Sequence, residues 1–164
     1  MNRLAGKTAL VTGCAINIGR AIALTLGREG ASIVCFDYDC GGAEAIADEI
    51  RRAGGRAVAA PGDVREPADV EAALELAERS FGTVDALVNN AAITINKTLL
   101  ETSLEEWNAV LATTLSGPFI VSRAVARRMI GHALTRRDRQ PRVDDRPSRS
   151  RGRDRLLGGE RRHP

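Results

Sequence analysis

The sequence predicts an α/β fold, a doubly wound parallel sheet, and three observations carry that expectation. Apolar runs of strand length alternate four times with stretches that repeat apolar residues at helical spacing. A glycine-bearing turn falls between the first strand and the first helix. The alternation stops after residue 131, so the sheet is expected to be truncated after four strands.

Thr8–Thr12 (TALVT) is the first strand, and residues 18–26 (IGRAIALTL) follow as the first helix. Residues 31–36 (ASIVCF) form a second apolar run ended by Asp37, and residues 43–53 (AEAIADEIRRA) an amphipathic helix stopped by Gly54 and Gly55. Residues 56–60 read as a third strand, Pro67–Phe81 as a helix with proline in its first turn, and residues 84–89 as a fourth strand. Thr102 and Ser103 then open one long helix, with Glu105 and Glu106 where carboxylates complement the helix dipole. It runs through Trp107, expected in the core, toward Met129. Right-handed crossovers of this length cover a parallel sheet on both faces, and the order expected of such a doubly wound sheet is 3-2-1-4. The fourth strand would then be an open apolar edge, which predicts low solubility.

The 164 residues suggest one domain, and 43% hydrophobic content is enough for a core. Charge is divided unevenly: residues 1–131 hold 13 Lys+Arg against 16 Asp+Glu, whereas 132–164 hold 11 Arg against 5 acids. Residues 132–164 show no apolar period and cannot bury enough surface to offset their ordering entropy, so a disordered C-terminal tail is expected there. The basic surplus lies outside the part that folds, and the tail lacks aromatics for base stacking, so nucleic acid is not an expected partner. Cys14, Cys35 and Cys40 have no metal-ligand spacing and suit reduced thiols; no metal site is expected. With no charged leader before an apolar segment and no uninterrupted apolar run near ~18 residues, the chain reads as soluble and cytoplasmic, without a membrane role.

The strongest chemical signal is Thr12-Gly13-Cys14-Ala15-Ile16-Asn17-Ile18-Gly19, where strand turns into helix. Glycines there let the backbone turn tightly and approach a pyrophosphate, whose charge meets free N–H groups and the positive end of the helix dipole. Gly6-Lys7-Thr8 imitates the end of a P-loop, but Met1 stands where its first glycine is needed and the triplet precedes the strand.

These residues, with three further segments, resemble the short-chain dehydrogenase/reductase family over residues 3–131. TGCAINIG is similar to the family's TGxxxGxG, with Asn17 at the middle glycine, and asparagine tolerates a left-handed backbone. Asp63-Val64 matches the family's adenine-contacting pair, and Asn89-Asn90-Ala91-Ala92 matches NNAG with Ala92 in the glycine position. EEWNAVLATTLSGPFIVSRAV resembles the helix that carries an asparagine of the proton relay; Thr114 stands at that asparagine. The resemblance implies a Rossmann-type NAD(P)-binding domain over 1–131 and hydride transfer between a nicotinamide cofactor and a small-molecule alcohol or ketone. It implies cofactor contacts at Thr12, Gly13, Asn17, Ile18, Gly19, Asp37, Asp63, Val64, Asn90 and Ala91. Asp37 ends the second strand, where a carboxylate accepts from the adenosine ribose hydroxyls and repels a 2′-phosphate, so NAD is favoured over NADP. Read without the family, Asp37 is a solvated turn aspartate, Asp63 a turn or capping residue, and Asn89 and Asn90 a strand-ending turn. Family members pair as homo-oligomers through two helices, of which only the first is recognisable here.

The catalytic half is missing. In the family a tyrosine, lowered in pKa by a lysine four residues on, passes a proton to or from the substrate oxygen. Tyr38 is the single tyrosine, beside the expected adenosine site, and no lysine follows Lys97. No residue is therefore assigned a catalytic role, and the chain is expected to be inactive. Codons for residues 136–164 can be chosen so that reading one nucleotide later gives GGTVNLASTIGHRGRADAIAYWGAKGGI, with a serine and, about 13 residues on, Tyr-x-x-x-Lys. This suggests a frameshift between about Gly131 and Arg136. The alternative is a nucleotide-binding pseudoenzyme or interaction module.

Overall fold

A computed structural model describes residues 2–138. The elements are β1 (Thr8–Thr12), α1 (Asn17–Arg28), β2 (Ser32–Asp37), α2 (Cys40–Arg52), β3 (Arg56–Pro61), α3 (Pro67–Phe81), β4 (Ala86–Val88), α4 (Leu104–Leu111), a π-helical turn (Ala112–Ser116) and α5 (Gly117–Asp138). The four strands are parallel in the order β3-β2-β1-β4, the order expected of the doubly wound sheet.

Successive side chains of a strand point to opposite faces, and here both faces are covered. Leu10, Val34 and Phe36 pack with Val70 and Leu74 of α3 and Val121 and Val125 of α5. Ala9, Val11, Ile33 and Cys35 pack with Ala23 and Leu24 of α1 and Ile46 and Ile50 of α2. Every residue of β1 is buried, which is why its sequence is continuously apolar or hydroxylic instead of alternating. Local signals set the helix boundaries. The Asp39 carboxylate caps α2 by accepting from the Gly42 N–H at 3.1 Å, Pro67 opens α3, and Ser103 and Glu106 form a reciprocal capping box at α4.

β4 is shorter than the expected 84–89. It is fixed by Asp85, whose carboxylate accepts from the Thr8 N–H at 2.9 Å and whose N–H donates to the Thr8 carbonyl at 2.8 Å. Among the described residues β4 has one strand neighbour, β1, and Ala86 is exposed.

The expected single long helix is divided. The Gly117 N–H bonds the Ala112 carbonyl, five residues back, and Pro118 follows at once. Proline has no N–H and its ring crowds the carbonyl four residues earlier, so the widened turn accommodates it without ending the helix. Trp107, expected in the core, is half exposed, because α4 lies at the periphery and buries none of its residues. Residues 104–134 form a continuous helical stretch whose length and composition would also suit a membrane span. Its α5 part buries Val121, Ala124 and Val125 against the sheet and α3, as a core helix does. Arg128 ties it to α3, donating to Glu71 at 2.7 Å and Glu78 at 2.5 Å. α5 continues past residue 131, the last residue expected to fold, to Asp138; Ala133 and Leu134 are good helix formers. The rest of the tail expected to be disordered lies outside the described residues.

Candidate functional site

A cleft of about 720 Å³ opens at the carboxyl ends of the strands, where the chain leaves β1 toward α1. β1 sits between β2 and β4, so the order of connection reverses there, and open α/β sheets bind ligands at such a point. Its wall is built from the segments that follow each strand: Gly13 and 15–19 after β1, 36–39 at the end of β2, 62–65 after β3, and 90–94 after β4.

The glycine-rich turn is held by close approaches that leave no room for a side chain. Gly13 has φ +63, and a Cβ there would lie 2.7 Å from the Ala91 Cα. A Cβ on Gly19 would lie 2.0 Å from the Gly13 carbonyl oxygen and 2.4 Å from the Asn90 Nδ2. Asn17, at the family's middle glycine, takes φ +49, the left-handed region that asparagine tolerates. α1 starts at Asn17 with no side chain capping its end, so the first-turn N–H groups of a helix, which lack intrahelical partners, border the cleft at Asn17, Ile18 and Gly19.

Thr12 is buried behind this turn. Its hydroxyl accepts from the N–H groups of Asn90 at 2.9 Å and Ala91 at 3.0 Å, and donates to the Val88 carbonyl at 3.3 Å. The Asn90 amide in return donates to the carbonyls of Thr12 at 3.1 Å and Gly13 at 2.8 Å. Asn89 points elsewhere, donating to the Ser122 hydroxyl on α5 at 2.9 Å.

At the other end of the cleft the Asp37 carboxylate accepts from the Ala15 N–H at 2.7 Å and the Asp39 N–H at 2.9 Å, so it braces the glycine turn against β2. Asp63 accepts from the backbone and guanidinium of Arg65, and this arginine holds its carboxyl below the usual carboxylate range. Val64 is buried against Gly117, where a Cβ would come within 2.7 Å of it. The Cys14 thiol lies inside the turn; a hydrogen bond with Cys35 and burial push its pKa up, which keeps it protonated and unreactive.

Of the ten residues expected to contact a cofactor, nine border the cleft, and Thr12 supports it from behind. Thr114 does not border it. Its hydroxyl donates to the Ile93 carbonyl at 3.4 Å, and the neighbouring Thr113 lines the cleft instead. Tyr38, expected beside the adenosine site, also borders the cleft, as do Arg65 and Thr113, which went unassigned in the sequence. Tyr38 and Arg65 stand one residue past Asp37 and Val64, a position that follows once the strand ends are fixed. Among the described residues no group of three or more His, Cys, Asp or Glu could hold a metal ion.

A parallel sheet wound on both sides, with a glycine-rich strand-to-helix turn at the reversal point, defines a Rossmann-type α/β domain. The family model for short chain dehydrogenase matches residues 7–136. The chain belongs to the short-chain dehydrogenase family. It is 40% identical over 127 residues to 5-keto-D-gluconate 5-reductase of Escherichia coli, covering 77% of this chain and 50% of the relative. It is 44% identical over 125 residues to the 3-oxoacyl-acyl-carrier-protein reductase FabG of Escherichia coli, covering 76% and 50%. It is 41% identical over 128 residues to D-threitol dehydrogenase of Mycolicibacterium smegmatis, covering 78% and 49%. The chain thus spans about half the length of the relatives it matches.

Proposed function

We propose that this chain derives from an NAD(P)-dependent oxidoreductase acting on small alcohols or ketones, and that the 164-residue polypeptide binds the dinucleotide without turning substrate over. The observation that carries this reading is the pairing of an ordered cleft with the absence of any Tyr-x-x-x-Lys from the sequence. The cleft suits a dinucleotide: the turn from Gly13 to Gly19 would hold the pyrophosphate, and the segments around Asp37 and Asp63 the adenosine. Residues 90–94 and Thr113 are left for the nicotinamide end. When bound, the cofactor supplies or accepts a hydride. This chain's residues orient it, but among the described residues none is placed to hand a proton to a substrate oxygen. Tyr38 is 80% exposed and stands beside Asp37, at the adenosine end.

The Asp37 carboxylate favours NAD over NADP, since a 2′-phosphate would meet its charge. The names of the relatives, which include a ketogluconate reductase, an oxoacyl reductase and a threitol dehydrogenase, support an alcohol or ketone as the ancestral substrate class. We read the protein as cytoplasmic, and the tail over 132–164 as out of frame from a shift between about Gly131 and Arg136, because the alternative reading from Arg136 on restores serine, tyrosine and lysine in the family's spacing. Codons in the gene that cannot encode that string refute the frameshift. Turnover tests the rest: with NADH and a panel of keto acids, ketones and polyols, the expected rate is background, and reduction at an enzyme-like pace would overturn the reading.

A dinucleotide-sensing pseudoenzyme is the second reading, favoured by the same cleft. It requires that binding alter the association of this chain with another protein.

A further inference from the structure

Arg65 is the first residue past Asp63-Val64, and its side chain folds back on Asp63. Nε donates to both carboxylate oxygens, at 3.0 Å to Oδ1 and 2.9 Å to Oδ2, and Nη2 also donates to Oδ2. The Arg65 backbone N–H adds a contact to Oδ1 at 2.9 Å. A carboxylate offers roughly four lone-pair positions, so Asp63 is nearly saturated from within its own loop.

The arrangement is fixed from below. The Asp69 carboxylate accepts the Asp63 N–H at 2.9 Å, and the Glu66 N–H donates to the Asp63 carbonyl at 3.0 Å. The acid side chain is 14% exposed and the arginine 43%, so the guanidinium is the outer partner of the pair. Both residues border the cleft, together with Asp37 and Tyr38.

Resting on the reading of this cleft as a dinucleotide site, we infer that Arg65 withholds Asp63 from the base, so that a purine is held against the flat face of the guanidinium and its 6-amino group is not read. An amino group that reached Asp63 would have to displace a charge-assisted, two-pronged contact and offer a neutral donor in its place. Such an exchange loses. A guanidinium is planar, weakly hydrated and stacks well on aromatic rings, and the pairing with Asp63 fixes its plane.

The test uses the full 164-residue chain with NADH and its 6-oxo analogue, reduced nicotinamide hypoxanthine dinucleotide, titrated by cofactor fluorescence. The wild-type chain is expected to bind both with dissociation constants within about threefold, because the missing amino group contributed little. In Arg65→Ala the freed Asp63 accepts that amino group, and the preference for NADH rises by about tenfold, the worth of one hydrogen bond to a charged acceptor. A purely structural role for Arg65 would weaken both ligands alike and leave the ratio unmoved. Should Arg65→Ala fail to fold, Arg65→Lys keeps the charge, gives up the two-pronged contact, and is expected to shift the ratio the same way by about threefold. A wild-type preference for NADH of tenfold or more, or an unchanged ratio in the variant, overturns the inference while leaving the dinucleotide site standing. If the wild-type chain binds neither ligand, the dinucleotide reading fails and takes this inference with it.

Discussion

Thr12 and Asn90 hold each other across the carboxyl ends of β1 and β4: the threonine hydroxyl accepts the asparagine N–H at 2.9 Å, and the asparagine amide donates to the threonine carbonyl at 3.1 Å. The same two side chains also fix the Ala91 N–H and the Gly13 carbonyl, so the glycine turn and the wall opposite it are one hydrogen-bonded unit. Thr12→Val keeps the shape but leaves two N–H groups without an acceptor, and Thr12 is only 1% exposed. The expected cost is about 2–3 kcal/mol, read as a lower urea midpoint. Asn90→Ala should cost about 1–2 kcal/mol, and the double variant less than the sum of the two.

Gly19→Ala is expected to be far more damaging than Gly54→Ala. At Gly19 the new Cβ meets backbone at 2.0 Å, so the turn must open; at Gly54 it meets nothing within 4 Å, and only the φ of +83 opposes it. The predicted losses are about 3 kcal/mol or more against about 1 kcal/mol, and only the first should abolish nucleotide binding. Equal losses in parallel denaturation curves would show that the turn is looser than its contacts require.

The Asp63 carboxyl sits below its unfolded pKa of about 3.9 because Arg65 binds it. Its contribution to stability is therefore complete above that unfolded value and is lost as pH falls through the lower, folded one. Asp63→Asn should reduce stability at neutral pH and flatten the decline below about pH 4. A decline of the same depth in wild type and variant would place the acid sensitivity on other carboxylates.

The polypeptide is expected to self-associate. β4 has a neighbour on one side among the described residues, and Leu115, Phe119, Ile130 and Leu134 on the long helical stretch are each more than half exposed. Unpaired strand edges and large apolar patches promote association. Light scattering coupled to size-exclusion chromatography should show species larger than one chain, and a monodisperse monomer with a cooperative thermal transition would contradict this.

Much of the fold was legible because its causes are local. Pro67 marks the start of α3, and the continuous apolar run of β1 reflects burial on both faces. The strand order followed from the doubly wound, dinucleotide-binding class to which the glycine turn pointed, since alternation and crossover handedness do not fix an order. What escaped depends on partners distant in sequence. β4 is shortened to the residues that β1 can pair, Trp107 is half exposed because α4 buries none of its residues among the described part of the chain, and Thr113 reaches the cleft from within the π-helical turn, which sequence spacing did not show. Pro118 was the visible sign of that turn. At the site, the glycines and Asn17 were readable from backbone demands, whereas the saturation of Asp63 by Arg65 depends on a side-chain direction that spacing does not encode.

The most direct measurement is a fluorescence titration of the purified 164-residue polypeptide with NADH, followed in the same cuvette by addition of a ketone. The account predicts saturable enhancement of the nicotinamide signal and no subsequent loss of NADH beyond background. Absence of saturable binding, or steady oxidation of NADH once the ketone is present, would contradict it.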